Sequence, residues 1–168
     1  MDFIVEDGTG LPNATSLTTV EWADQHLAAT GYAPEWENLD DEVKKARLNT
    51  ATSIFANSFS FYGYLLSETQ SLPFPRKDLR DREGRLILGV PPIVRSAVAE
   101  LAYYVSQENP FTDSELAELE SIKVGPISLE VSSLARETKV LPDSIIRAVS
   151  EYGRYRFGKN RMRRLVAG

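Results

Sequence analysis

Four groupings of residues in this chain carry side chains able to do chemistry. Asp7-Gly8-Thr9-Gly10 combines a carboxylate, a hydroxyl and two glycines in the form used by paired-aspartate hydrolysis. That chemistry needs a second carboxylate held against the first on a β-rich frame, and the rest of this chain reads helical. His26 is the only histidine, and no nucleophile stands at a recognisable spacing from it, so triad chemistry has no support. The acids from Glu37 to Glu42 and from Glu115 to Glu120 could offer oxygens to a divalent cation. Both clusters coincide with helix starts, where the positive end of the helix dipole favours acids without any metal. No glycine-rich phosphate loop is present. With no cysteine and one histidine, thiolate and multi-imidazole zinc sites are excluded. No catalytic, cofactor or metal site is expected, and the chain reads as a protein other than an enzyme.

The fourth grouping is the basic end. Arg154-Tyr155-Arg156-Phe157-Gly158-Lys159-Asn160-Arg161-Met162-Arg163-Arg164 interleaves aromatic rings with cations, and Arg147 lies just upstream. From Arg147 onward seven basic residues face a single acid, Glu151; that is +6 in a chain of −5 overall, which leaves −11 on the remainder. Arg147, Arg154, Tyr155, Arg156, Phe157, Lys159, Arg161, Arg163 and Arg164 are therefore the candidate partner-docking residues. Three readings stay open for them. Such a mixture stacks single-stranded bases and tracks phosphates, it anchors on a protein surface through arginine forks and aromatic side chains, or it is a solvated charge run.

The rest of the chain must position these groups. At 168 residues, 42% hydrophobic and 26% charged, the chain has the composition of a soluble globular protein with enough apolar content for a core. No segment approaches the apolar length of a membrane span, and the first residues lack the pattern of a secretion signal. Synthesis in the cytoplasm is expected.

Residues 1–17 show no periodicity and read as an N-terminal arm or loose strand. Thr18-Thr19-Val20-Glu21 offers a capping box at Thr18 for a short helix to about Ala29, with Val20, Ala23 and Leu27 on one face and Gly31 as its stop. Asp40-Asp41-Glu42 opens a long helix to about Ser58, whose apolar side is Leu48, Ala51, Phe55 and Phe59. The aromatic run that begins at Phe59 ends it. Leu65 to Pro92 is dense in proline and glycine and reads as a loop with a small hairpin. Pro91-Pro92 then starts a second long helix with the stripe Val94, Ala97, Val98, Leu101 and Val105. A short helix from Thr112 to about Glu120, a strand or bent hairpin arm over Ile122 to Val131, a linker over Ser132 to Lys139 and a last helix from Pro142-Asp143 complete the pattern.

Beyond Gly153 the tail reads as lacking fixed structure until it meets a partner, so that removal of residues 153–168 should leave a folded body. The expected fold is mainly α: a compact bundle of four to five helices with a small β-hairpin and extended arms. Its parts are an N-terminal arm (1–17), a helical body (18–131) and a linker, C-terminal helix and basic tail (132–168).

The run from Thr18 to Ile127, about two thirds of the 168 residues, resembles a bacteriophage family labelled DnaT-like single-stranded DNA-binding, whose members look like head-to-tail connector or adaptor proteins. The likeness rests on the order of several short pieces: Glu21-Trp22-Ala23-Asp24-Gln25-His26-Leu27, Trp36 with Leu39-Asp40-Asp41, and Ala46-Arg47-Leu48-Asn49-Thr50-Ala51-Thr52. Leu72-Pro73-Phe74-Pro75-Arg76, Asp81-Arg82-Glu83-Gly84, Val90-Pro91-Pro92-Ile93-Val94 and Lys123-Val124-Gly125-Pro126-Ile127 follow. Phe74 stands where the family pattern has tryptophan, and the region after Ser132 looks longer and more basic than the family's usual end.

The resemblance implies a structural subunit of a tailed-phage virion neck. It would form a ring, a dodecamer, under the portal protein, above a further tail or neck protein, with double-stranded DNA passing through the bore without sequence-specific binding. An acidic body suits a channel that must not grip DNA, and a basic aromatic tail suits docking on the portal, where twelve tails gain avidity. The alternative is the role in the family label, a single-stranded DNA-binding accessory of replication.

Overall fold

The computed structural model describes residues 2–31, 33–107 and 141–156. The helix expected from Thr112, the strand over 122–131 and the linker over 132–139 lie outside them. The fold is mainly α. Among the described residues five helices run as α1 (Val20–Thr30), α2 (Ala33–Glu37), α3 (Asp41–Ser58), α4 (Pro92–Gln107) and α5 (Asp143–Val149). Four short strands, β1 (Phe59–Phe61), β2 (Tyr64–Leu65), β3 (Arg76–Lys77) and β4 (Gly153–Tyr155), form two antiparallel pairs, β1 with β4 and β2 with β3.

The helix signals in the sequence act where they stand, with one shift. The α1 cap is Thr19, whose hydroxyl accepts from Trp22 N at 3.1 Å. Thr18, expected in that role, is buried, and its own amide donates to the Ser16 hydroxyl. Gly31 ends α1 in the left-handed region at φ 82°, where a glycine meets no steric penalty. The acids Asp41 and Glu42 occupy the first turn of α3, as the helix dipole favours. The Pro91 carbonyl accepts from Val94 N and Arg95 N, so the prolines open α4 without leaving that carbonyl idle.

α4 is the centre of the core. Val94, Ala97, Val98, Ala99, Leu101 and Ala102 are all buried, and α1, α3 and α5 pack around it. α3 brings Leu48, Ala51, Ile54 and Phe55 to the same core, α5 adds Ile145 and Val149, and Trp36 of α2 is 1% exposed. Lys44 sits in the buried stripe of α3, one turn before Leu48. Its ammonium donates to Asp24 Oδ1 of α1 at 3.0 Å and lies 5.8 Å from the centre of the Trp36 ring. Trp36 Nε1 donates to the same oxygen at 2.6 Å.

Two segments depart from the sequence reading. Residues 2–17, expected as an arm, fold against the body. Glu6 is 1% exposed, and its carboxylate accepts from the amides of Gly8, Gly10 and Leu11, each at 2.9 Å. A single bridge joins Val5 to Ser16, Leu17 is fully buried and Ser71 N donates to Leu11 O. A carboxylate that satisfies three loop amides allows an aperiodic segment to be buried, which the missing hydrophobic period does not reveal.

The second departure is at Gly153, beyond which no fixed structure was expected. Gly153–Tyr155 is a strand in register with β1: Phe59 faces Tyr155, Ser60 faces Arg154 and Phe61 faces Gly153. A Cβ on Gly153 would stand 2.9 Å from Ser60 O, so glycine is what lets the strand close in. The Tyr155 ring packs on Phe59 at 5.5 Å, extending the aromatic cluster of Phe55, Phe59, Phe61 and Phe74. A body that ends before Gly153 would therefore lose the partner of β1.

Asp24→Ala leaves both the Lys44 ammonium and the Trp36 indole without their shared acceptor. The expected cost is about 3 kcal/mol, by denaturant unfolding. Lys44→Met, which removes the buried charge but keeps the stem, should cost clearly less. Equal losses for the two variants would contradict this account of the cluster.

Candidate functional site

The residues singled out in the sequence are divided by the structure. Arg154, Tyr155 and Arg156 lie together at β4, with both arginines exposed and Tyr155 half-buried against Phe59. Arg156 N donates to Ser58 O at 2.9 Å and its guanidinium reaches Asn57 O at 3.5 Å, which ties the end of β4 to the end of α3. Arg147 is exposed in the last turn of α5. Phe157, Lys159, Arg161, Arg163 and Arg164 lie outside the described residues.

Next to β4 the structure builds a surface that the sequence did not disclose. β1 continues through Tyr62 and Gly63 into β2, which pairs with β3 so that Tyr64 faces Lys77 and Leu65 faces Arg76. Tyr62 N donates to Tyr152 O at 2.9 Å, joining this turn to the segment that leads into β4. The Arg76 guanidinium holds the turn from inside. It donates to Gly63 O and Pro73 O at 2.9 Å each, to Phe61 O at 3.4 Å and to Tyr62 O. All four partners are carbonyl oxygens, and burial pushes the guanidinium down from its ordinary pKa. Gly63 adopts φ 69°, and a Cβ there would stand 2.6 Å from Lys77 O. Gln70, also buried, closes the following loop by donating to Leu72 O and Pro75 O and accepting from Ser67 N.

The turn so fixed exposes its side chains: Tyr62 is 51% and Tyr64 66% accessible, and Leu65 and Leu66 are exposed beside them. A second hairpin follows directly. Arg80 bridges to Leu86, and Asp81 accepts from the amides of Glu83 and Arg85 and from the Arg85 side chain. Glu151, just past α5, accepts from Arg82 N at 2.8 Å and binds this hairpin to the end of the last helix. Leu86 and Leu88 are exposed here, Leu88 at 83%. Lys77, Arg80, Arg82, Arg85, Arg154 and Arg156 are exposed cations of the same strands and hairpins. Of these, Arg85 is paired with Asp81 and Glu83, and Arg82 with Glu151 at 3.9 Å.

The other chemical candidates have structural partners. Asp7 accepts from the amide and hydroxyl of Thr9 in an exposed turn, and the Thr9 hydroxyl holds its carboxyl below the ordinary value. His26 Nε2 lies 2.9 Å from Glu100 Oε1, joining α1 to α4. Among the described residues no three His, Asp or Glu side chains come together as a metal site, and no helix is long and apolar enough to cross a membrane.

A protein-family model described as "Putative DnaT-like ssDNA binding protein" matches residues 1–164, and the chain belongs to that family. The match is wider than the Thr18 to Ile127 resemblance and extends through the basic end to Arg164. No curated protein and no solved structure matches the chain.

The exposed leucines had one signal in the sequence, as apolar residues of the proline- and glycine-dense stretch that belong to no helical stripe, while Tyr62 and Tyr64 stand in the aromatic run before it. The first hairpin's presentation of Tyr62, Tyr64, Leu65 and Leu66 depends on the planar fork of Arg76. Arg76→Lys keeps the charge but cannot reach four carbonyls at once. The amide of Leu66, bonded to Pro75 O, should then exchange with solvent markedly faster while α4 amides keep their protection; unchanged exchange would show that the fork does not hold the turn.

Proposed function

We propose that this chain is a structural connector subunit of a tailed bacteriophage, and that it assembles as a ring beneath the portal with DNA passing through the bore. The observation that carries this reading is the pair of locked hairpins beside β4 with four exposed leucines, Leu65, Leu66, Leu86 and Leu88. Aliphatic side chains have no face on which bases stack, and exposed apolar groups on a rigid backbone are what a protein partner buries. Support also comes from the charge division between an acidic remainder and a basic end. In this reading Phe157, Lys159, Arg161, Arg163 and Arg164 dock on the portal, with Arg147, Arg154 and Arg156 flanking them on the body. The hairpins meet a neighbouring copy or the next neck component.

A second reading, single-stranded DNA binding, is favoured by the family's description and by Tyr62 and Tyr64, two exposed rings set near Lys77 and Arg154. Aromatic platforms among cations are the usual means of holding single strands.

Quantitative mass spectrometry of purified phage particles separates the two. About one copy per portal subunit is the expected outcome for a connector, and absence from particles would overturn it. Oligonucleotide binding by the purified protein tests the second reading. It should weaken linearly with log salt, by roughly 0.7 per phosphate neutralised, and a lack of binding at low salt would remove it.

A further inference from the structure

A groove of about 1090 Å³ runs along the outer side of α3, between that helix and the N-terminal segment. Its floor is apolar, made by Ala14, Ile54 and Leu72, with Phe3 partly buried at its side. Its rim is polar, with Asn49, Ser53 and Asn57 on α3 and Thr15 and Ser71 opposite. Asp2, Glu42 and Lys45 line it too, and at the α3 N-terminus the Lys45 ammonium is bonded to Glu42 at 2.7 Å.

The chain leaves β4 at the mouth of this groove. Arg156 is bonded to the carbonyls of Ser58 and Asn57, and Asn57 is the groove residue nearest the C-terminal end of α3. Twelve residues follow, 157–168, with four cations and no acid. We propose that in the free subunit residues 157–168 of the same chain lie along this groove, antiparallel to α3.

The lengths agree. From Asn57 to Glu42 the helix covers about 22 Å at 1.5 Å per residue. An extended chain at about 3.3 Å per residue brings positions 161 to 164 to roughly 17–26 Å from Arg156. Arg161, Arg163 and Arg164 then arrive beside Asp2 and Glu42, while Phe157 stands near Ile54 at the start. A second copy would have to supply the same segment from solution, whereas the tether holds it at millimolar effective concentration. The inference concerns the free subunit and holds whether the tail's eventual partner is the portal or DNA, so its failure would leave either reading of function standing.

The chain has no cysteine, which permits a direct test on the full-length protein. Met162→Cys is combined with Ala46→Cys, an exposed α3 position on the groove, and separately with Ser60→Cys on the exposed side of β1. Both pairs are oxidised at low micromolar protein after circular dichroism confirms folding. The expected result is an intramolecular disulfide for the Ala46 pair, forming roughly tenfold or more faster than for the Ser60 pair. Equal rates for the two pairs, no cross-link, or cross-linked dimers alone would overturn the proposal, the last by naming a second copy as the occupant.

Discussion

One carboxylate oxygen organises the helical half of this protein. Asp24 Oδ1 accepts from the Lys44 ammonium and from the Trp36 indole, and in doing so ties α1 to α3 and to the five-residue α2. A helix as short as α2 has no stability of its own, because nucleation costs more than one turn returns. It exists here because Trp36 is drawn into the core and held at both its ring face and its nitrogen. Lys44 needs the same arrangement, since a buried ammonium is tolerated only when paired and bonded. With α1, α2 and α3 fixed to one another, the apolar side of α4 has a surface to fill, and α5 closes the remaining flank.

The other half rests on a different use of charge. Arg76 meets no carboxylate among its bonded partners; its fork gathers carbonyls from Phe61 through Gly63 and from Pro73. Glu6 does the converse, gathering three amides of the N-terminal turn. In both places an ionised side chain replaces the regular ladder that an aperiodic segment lacks, so that backbone groups away from water remain satisfied. The irregular segments are thereby as defined as the helices, and the hairpins beside β4 can present tyrosine and leucine to solvent without collapsing onto the body.

These two devices explain what could be read from the sequence. Gly31, the acids before α3, the prolines before α4 and the stripe Val94, Ala97, Val98 and Leu101 act locally, through spacing and backbone geometry, and the elements stand where those signals put them. Lys44 was not legible as a core residue, because a pattern of apolar spacing counts lysine as solvent-facing and its partner lies on another helix. The arm reading of residues 1–17 missed Glu6 for the same reason: an isolated acid gives no period. The β1 and β4 pairing joins residues more than ninety positions apart through three-residue strands, and Arg154-Tyr155-Arg156 was read for its charge when its backbone was the operative part. Of the candidate docking residues, the sequence identified the cations but not the hairpins that adjoin them, since the first is fixed by Arg76 and the second is tied down by Glu151, each at a distance along the chain.

The axis of α3 gives the molecule a direction. Its N-terminal end carries Asp40, Asp41 and Glu42, with Glu35 and Glu37 of the preceding turns close in sequence, and its C-terminal end meets Arg156, bonded to the Asn57 carbonyl, with Arg154 two residues before it. Each set of charges stabilises the end of the helix dipole it occupies, so the division is supported by the fold itself.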